Sequence, residues 1–186
     1  MAVLFVSEDT IKKSTTINGN VDVELLLPYI KVAQDIHIHQ LLGTDLYDKL
    51  QNDVATSSLA GVYKTLIDEY VQPVLIHYSL YECLPFLSYK IMNKDIVRKI
   101  SETSSAATLD DIKYLRNIVK DTAEYYSERL VDYIRDNTES YPEYSSNTGS
   151  DLPPTKETYF SGIVMDRDMQ RNRITLRDFL ESSYDL

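Results

Sequence analysis

The amino-acid sequence predicts a mainly α fold: a helical bundle of four to five helices with extended N- and C-terminal arms and room for a short β element. The hydrophobic share of 43% is typical of a globular chain. Apolar residues recur at helical spacing through much of residues 22–138, whereas residues 139–186 are rich in small polar residues and include three prolines. We therefore divide the chain into an N-terminal arm (1–21), a helical bundle core (22–138) and an extended C-terminal arm (139–186).

The N-terminal arm is expected to be a short strand or extended segment that closes in a turn at Asn18-Gly19. Asp22, or a near neighbour, then caps the first long helix, because an aspartate side chain accepts from the free N–H groups of a first turn. Pro28 has no N–H, so this helix should start late or kink near it. Its apolar residues follow helical spacing: Leu26, Ile30, Ala33, Ile36 or His37, and Leu41.

A corner between two helices is predicted at Gly43 and Thr44. The glycine is expected to end the first helix, and the threonine to cap the next one in "DLYDKLQND". That second helix carries Leu46, Tyr47 and Leu50 on its apolar face. Gly43 and Thr44 are therefore assigned a structural role as the joint of the bundle.

The stretch from Leu59 to about Tyr89 is predicted to hold the central buried helix. Its residues are apolar on almost every face between Val74 and Leu87, as expected of a helix surrounded by others. Pro73 and Pro85 are expected to bend or divide it. Beyond it, Val97 and Ile100 suggest a short strand or an irregular crossing.

The last helix of the core is predicted to run from Thr108 to about Asn137. Thr108 and Asp111 have the spacing of a capping box, with aspartate in place of the usual glutamate or glutamine. One apolar stripe is expected to face the core: Ile112, Leu115, Val119, Thr122, Tyr126, Leu130 and Tyr133. The opposite face should be solvated: Asp110, Lys113, Asp121, Glu128 and Arg135.

Few residues suggest chemistry. Residues two apart on a helix point about 200° apart, so His37 and His39 make a poor pair of metal ligands. On a strand the same spacing would suit a metal site. His77, in the apolar helix, is a further candidate ligand that could join His37 or His39. Cys83 is a lone thiol in an apolar stretch and is expected to be buried and structural. We predict no catalytic residue, no metal site and no cofactor.

Charge and composition restrict the partners. The net charge of −10 disfavours a protein that binds DNA by neutralising phosphates, and no glycine-rich phosphate loop is present. No run approaches the roughly 18 apolar residues of a membrane span, so no membrane partner is expected. The 15 tyrosines suit subunit interfaces as well as domain rims, and the single cysteine suits an intracellular setting or a particle assembled inside a cell.

The C-terminal arm carries the candidate interface residues. Its arginines alternate with aspartates, which favours salt links to an acidic partner over contacts with DNA. Apolar side chains nearby would anchor the arm on a partner surface. The assigned interface residues are Arg167, Arg171, Arg173, Arg177, Tyr159, Phe160 and Phe179.

The order of these features resembles a known family. "TTINGNVDVELLLPYIKVAQDIHIHQLLGTDLYDKL" holds a turn, a proline-bearing helix, an Ala-Gln midpoint and then "LLGTDLYDKL". This is similar to the N-terminal signature of small helical head–tail connector proteins of tailed bacteriophages, most of all those of crAss-like phages and Bacteroidetes prophages. The similarity continues through "SYKIMNKDIVRK" and "AEYYSERLVDYI" and covers about residues 5–137.

The resemblance implies a structural virion protein rather than an enzyme. About twelve copies would form a ring in the neck, as an adaptor between the portal protein and the neighbouring neck and tail rings. Double-stranded DNA would pass through the ring without specific binding, and the subunit would stay in the host cytoplasm before assembly. Some of the negative charge is then expected to face the lumen, where it repels phosphates.

Two other hypotheses about the function stay open. One is a soluble helical interaction module, a regulator or assembly chaperone that binds one protein partner. The other is a small metal-dependent enzyme that uses the histidines and nearby acids. In the connector reading, deleting residues 140–186 should leave the bundle folded and abolish assembly.

Overall fold

The computed structural model describes residues 3–17, 21–91, 96–98, 108–146, 148 and 151–155. Within these ranges the fold is mainly α, as predicted from the sequence. The α-helices are α1 (Glu8–Ser14), α2 (Val23–Ala33), α3 (His39–Leu42), α4 (Thr44–Ala55), α5 (Gly61–Thr65), α6 (Gln72–Ser88), α7 (Leu109–Asp136) and α8 (Pro142–Ser145). None of these described helices is long and apolar enough to cross a membrane.

Three further helical segments and two strands join these helices. A π-helical segment, Gln34–Ile38, links α2 to α3, and a second one, Leu66–Val71, links α5 to α6. A 3₁₀ turn, Thr138–Ser140, follows α7. Strands β1 (Tyr89–Ile91) and β2 (Ile96–Arg98) pair antiparallel, so the short β element is present and Val97 belongs to it. Ile100 lies outside the described residues.

Helix α6 is the central helix, as predicted. It packs against α7 on one side and against α2 on another. Its residues Val74, Leu75 and Cys83 are almost completely buried. Pro73 and Pro85 do not divide it, because the helix runs without interruption from Gln72 to Ser88.

The N-terminus of α2 is capped as predicted but does not start late. The Glu24 N–H donates to Asp22 Oδ1 at 3.2 Å, and the helix begins at Val23, before Pro28. The proline leaves the Glu24 carbonyl without its intrahelical donor. Glu24 and Pro28 are both exposed, so water is available to that carbonyl. Of the two predicted outcomes, a late start or a kink, the late start does not occur.

The π segment after α2 changes which residues face the core. Leu26, Ile30 and Ala33 are buried as predicted. A π turn holds one residue more than an α turn, which rotates the following residues around the axis. Ile38 is therefore completely buried. Of the two alternatives predicted to face the core, Ile36 is 53% exposed, whereas His37 is half-buried and stacks on Tyr78.

The N-terminal arm contains a helix where a strand or extended segment was predicted. Residues 8–14 form α1, whose start is capped because the Thr10 N–H donates to Ser7 Oγ at 3.3 Å. Ile11 of this helix is 1% exposed, so α1 belongs to the core. The Asn18-Gly19 turn lies outside the described residues.

Helix α7 begins and ends as predicted, but its buried face is rotated. The capping box is complete: the Thr108 N–H donates to Asp111 Oδ2 at 2.8 Å, and the Asp111 N–H donates to Thr108 Oγ1 at 3.2 Å. Leu115 was expected in the core and is 47% exposed. The residues buried on α7 are Ile112, Ala123, Ser127, Leu130, Val131 and Ile134. The five predicted solvated residues are exposed.

The core continues past the predicted boundary at residue 138. Tyr141 and Tyr144 are buried, and the Tyr141 hydroxyl donates to the Val62 carbonyl at 3.1 Å. The ring of Tyr133 on α7 contacts Tyr141, with centroids 6.0 Å apart. Deleting residues from 140 onward would remove these rings from the core, so a truncation that spares the bundle must begin after Thr155.

Candidate interaction site at the Gly43 corner

The corner between α3 and α4 is formed by one glycine in a left-handed conformation. Gly43 has φ +74° and ψ 160°. Its N–H donates to the His39 carbonyl at 2.9 Å, and its carbonyl accepts from the Tyr47 N–H at 3.0 Å. It therefore closes one helix and opens the next without a side chain, as expected of a glycine at positive φ. The structural joint predicted at this position is present.

The chain returns to this corner more than 100 residues later. We call residues 151–155 the strap. The Thr44 N–H donates to the Leu152 carbonyl at 3.0 Å, the Leu152 N–H donates to Thr44 Oγ1 at 3.0 Å, and the Thr155 N–H donates to the Gln40 carbonyl at 2.9 Å. Pro154 lies so close that a Cβ on Gly43 would be 2.7 Å from its Cδ. Only a glycine leaves room for the strap here.

Thr44 does not cap α4, contrary to the prediction. The helix begins at Thr44 itself, with Gly43 in the N-cap position and no side-chain cap. The Thr44 hydroxyl is used by other groups, because Oγ1 lies 2.9 Å from His39 Nε2 and accepts from Leu152. The threonine thus joins α3 to the strap.

Asp45 holds the residues that lead into the strap. Its Oδ2 accepts from the Thr148 N–H at 3.0 Å and from Ser146 Oγ at 3.3 Å, and its Oδ1 accepts from Thr148 Oγ1 at 2.6 Å. Asp45 also lies in the first turn of α4, where a negative charge is favourable to the helix dipole. One carboxylate therefore stabilises both the helix start and the returning chain.

Gln34 fixes the other end of the described chain to the same region. This amide is 1% exposed. Its Oε1 accepts from the Phe5 N–H at 2.8 Å, and its Nε2 donates to the Val3 carbonyl at 2.9 Å and to the Tyr47 hydroxyl at 3.1 Å. Our sequence analysis assigned this residue no role. In the sequence, Gln34 could have been recognised as a single amide within an apolar helical pattern, because a buried polar group needs hydrogen-bond partners.

The two histidines of the corner contact different elements, as their spacing predicts. The His37 ring stacks on Tyr78 of α6, with centroids 3.7 Å apart, and its Nε2 lies 3.1 Å from Glu82 Oε1. The His39 ring stacks on Tyr47 of α4, with centroids 4.5 Å apart. Burial lowers the pKa of His37, and the hydrogen bond and charge of Glu82 oppose this.

The other residues considered for metal binding are also held apart. His77 stacks on Tyr126 of α7 rather than approaching His37 or His39. Asp35 accepts from the Tyr47 hydroxyl and pairs with Lys31, not with His39. Across the described ranges, no three His, Cys, Asp or Glu side chains are grouped closely enough to hold a metal ion.

Glu82 links three elements beneath the corner. Besides His37, it lies 3.8 Å from an Arg116 guanidinium nitrogen of α7. The Arg116 guanidinium also stacks 3.9 Å above the Tyr81 ring, and its Nε donates to the Tyr81 carbonyl at 3.3 Å. The partly buried Glu82 carboxylate of α6 therefore contacts both the first π segment and α7.

Cys83 has the properties of a structural residue. It is 1% exposed, and its thiol donates to the Leu80 carbonyl at 3.3 Å. Burial raises the pKa of this thiol to about 12. The thiolate needed for nucleophilic attack is therefore negligible at neutral pH.

The interface residues assigned to the C-terminal arm lie outside the described residues. These are Arg167, Arg171, Arg173, Arg177, Tyr159, Phe160 and Phe179. The described chain ends in the strap, at Thr155, on the surface of the corner.

Comparison with known proteins gives one match. A family model described as "Family of unknown function (DUF6712)" matches residues 38–153, more than half of the chain. The matched stretch contains the Gly43 corner, Asp45 and the Leu152 end of the strap. No curated protein and no solved structure matches the chain.

Proposed function

The chain belongs to the DUF6712 family, whose function is unknown, and we propose that it is a structural protein of a tailed-bacteriophage virion. In this proposal about twelve copies form a ring in the neck, between the portal protein and the neighbouring neck and tail rings. The subunits join head to tail and line part of the DNA conduit. The resemblance of residues 5–137 to head–tail connectors of crAss-like phages supports this role.

One observation carries the proposal: the residues that lead into the C-terminal arm are hydrogen-bonded to a corner of the bundle that also holds the N-terminal residues. Gln34 holds the N-terminal residues, and Gly43, Thr44 and Asp45 hold the residues that lead to the C-terminal arm. A subunit that clasps its neighbours gains from arms with fixed starting points, because less conformational entropy is lost on binding.

Ring closure requires two different surfaces that fit each other, since subunits in a cyclic ring meet head to tail. Residues 167–177 of the arm hold four arginines and one aspartate, so this stretch has a positive charge that fits an acidic body. We assign Arg167, Arg171, Arg173 and Arg177 to ion pairs in this assembly. Tyr159, Phe160 and Phe179 are assigned to its apolar contacts.

The net charge of −10 suits a conduit for DNA. Acidic groups that face the lumen would repel phosphates at every position, so that DNA slides without sticking. The electrostatic potential of an assembled ring tests this part of the proposal. A positively charged channel wall would rule out a repelling lumen.

The role itself is tested by the protein composition of purified phage particles. We expect the chain at the copy number of the portal protein, measured by quantitative mass spectrometry with the major capsid protein as reference. Absence from the particles would overturn the proposal and favour the soluble interaction module. A monomer in isolation would not, because ring formation can require the portal as a template.

A truncation separates folding from assembly. A chain ending at Thr155 keeps every buried residue of the described core and loses the assigned arginines. Its far-UV circular dichroism should stay close to that of the full chain, while its incorporation into particles should be lost. A matched pair of full-length variants, Arg171→Lys/Arg173→Lys and Arg171→Glu/Arg173→Glu, should retain and lose incorporation respectively.

A further inference from the structure

Helix α7 carries a second apolar face in addition to the buried one. Tyr114 is 68% exposed, Ile118 is 45% exposed and Tyr125 is 63% exposed. These residues are spaced four and seven apart, so they lie on one stripe over three turns. Leu115, 47% exposed, lies beside the stripe. We call these four residues the outer α7 face.

The outer α7 face points away from the core. The buried side of the same helix carries Ala123 and Ser127, which lie on nearly the opposite side of the helical wheel from Ile118. No described residue covers the stripe, since all four side chains are exposed. Large aromatic and aliphatic side chains in a contiguous exposed group are typical of interaction surfaces.

The rim of this face is acidic. Asp121 is three residues from Ile118 and four from Tyr125, and Glu128 is three residues from Tyr125, so both carboxylates lie beside the stripe. Both residues are exposed. Among the described residues neither has a cationic partner within salt-bridge distance. An occupant that is apolar and positively charged would fit this surface.

The C-terminal residues have that chemistry. Residues 169–177, "MQRNRITLR", hold three arginines and no acidic residue, together with Ile174 and Leu176. One aspartate, Asp178, follows, and then Phe179 and Leu180. The apolar side chains suit the outer α7 face, and the arginines suit Asp121 and Glu128.

The segment also begins within reach. Residues 156–186 start where the Thr155 N–H binds the Gln40 carbonyl, about one helical turn from His37. His37 contacts Glu82, and Glu82 contacts Arg116 of α7. The docking residues begin at 169, and the thirteen residues 156–168 before them span about 45 Å when extended, so the segment reaches α7 of its own copy or of a neighbour.

We propose that residues 169–180 dock on the outer α7 face, with their apolar side chains over Tyr114, Leu115, Ile118 and Tyr125 and their arginines beside Asp121 and Glu128. This docking goes beyond the proposed ring, because it applies to the free chain as well as to an assembly. Within a ring, the same segment of the adjacent copy would occupy the same face.

Disulfide formation in the full-length chain tests the docking. With Ile118→Cys and Leu176→Cys in one chain, oxidised glutathione should join the two thiols at least tenfold faster than in a control that carries Lys120→Cys and Leu176→Cys. Lys120 is exposed two residues from Ile118 and lies about 160° around α7 from it. The native Cys83 is buried in both variants. Peptide mass spectrometry identifies the bond, and equal rates for the two variants would overturn the docking.

Mixing the single variants identifies the copy that supplies the segment. A mixed disulfide dimer between Ile118→Cys and Leu176→Cys chains indicates a neighbouring copy, and a bond formed only in the double variant indicates the same copy. Either result supports the docking. Both are measured on the free chain, so they do not depend on whether the protein occurs in virions.

Charge exchange tests the assigned ion pairs. Arg171→Glu/Arg173→Glu should slow formation of the Ile118–Leu176 bond severalfold, and adding Asp121→Lys/Glu128→Lys should restore much of the rate. Circular dichroism confirms that each variant is folded. A rate that is unchanged by the arginine substitutions would overturn the charge pairing.

Discussion

Thr44 and Leu152 share two hydrogen bonds: the Thr44 N–H donates to the Leu152 carbonyl, and the Leu152 N–H donates to Thr44 Oγ1, each at 3.0 Å. The first N–H groups of a helix have no partner within it. At α4 the N-cap position is occupied by Gly43, which has no side chain to accept from them. The Leu152 carbonyl, more than 100 positions later in the chain, therefore accepts from the first of these N–H groups, that of Thr44.

The first prediction concerns the Thr44 hydroxyl. Thr44→Val keeps the shape of the side chain but removes the groups that bind His39 Nε2 and the Leu152 N–H. The bond is partly buried, since Thr44 is 9% exposed and Leu152 is 39% exposed, so water replaces the lost hydroxyl only in part. We expect a loss of about 1–2 kcal/mol in the free energy of unfolding, measured by urea denaturation.

Thr44→Ser is the matched control, because serine keeps the hydroxyl and loses only a methyl group. It should retain most of the stability that Thr44→Val loses. Equal stabilities of the valine variant and the native chain would show that the hydroxyl does not hold the strap.

The second prediction compares two glycines with positive φ. Gly43 has φ +74° and Gly61 has φ +57°, so alanine is strained at either position by roughly 1–2 kcal/mol. At Gly43 the new Cβ would also lie 2.7 Å from Pro154 Cδ, whereas nothing lies within 4 Å of a Cβ at Gly61. Gly43→Ala should therefore destabilise the fold more than Gly61→Ala does.

The strap gives a second readout for this pair. Hydrogen exchange at the amides of residues 152 and 155 should become faster in Gly43→Ala and stay unchanged in Gly61→Ala. If both variants left this exchange unchanged, the close approach of Pro154 would not hold the strap at the corner.

Local sequence signals predicted much of the fold. The Asp22 cap, the capping box of Thr108 and Asp111, and the central position of α6 each depend on residues within a few positions of one another. Helical periodicity failed where the backbone departs from 3.6 residues per turn. The π segment Gln34–Ile38 places Ile38 rather than Ile36 in the core, and no composition signal marks that extra residue.

The candidate site was predicted only in part, because its contacts join distant residues. Gly43 was assigned to a joint from its position between two helical patterns. The need for glycine also comes from Pro154, which no local pattern connects to it. Threonine is a residue type that often caps helices. The Thr44 hydroxyl instead accepts from the Leu152 N–H of the strap, a contact that no local pattern predicts. The role of Asp45 depends on Thr148 in the same way.

The third prediction concerns Gln34, which holds the N-terminal residues. Gln34→Leu has a similar size but leaves the Phe5 N–H without its partner, and it leaves the Val3 carbonyl with only the 3.5 Å bond from Gln51 Nε2. Gln34 is 1% exposed, so we expect a loss of about 2–3 kcal/mol in the free energy of unfolding. Limited proteolysis should also cut the N-terminal residues sooner.

Gln51→Leu provides a control for this effect. Gln51 donates to the same Tyr47 hydroxyl at 2.8 Å and only at 3.5 Å to the Val3 carbonyl, it does not bind the Phe5 N–H, and it is partly buried. Its replacement should cost less and leave the N-terminal residues protected. An equal sensitivity to protease in both variants would argue against Gln34 as the anchor.

The fourth prediction is a dependence of stability on pH through His77. Burial lowers the pKa of this ring below its ordinary value of 6.5. Below that value the unfolded chain binds more protons than the folded one, so the stability present at higher pH is lost as the pH falls. His77→Gln should therefore lose less stability than the native chain between about pH 7.5 and pH 5.5, a window in which most carboxylates do not titrate. Burial also lowers the pKa of His37, so some dependence should remain. Urea midpoints at both pH values measure the difference, and identical pH slopes in the variant and the native chain would exclude a contribution from His77.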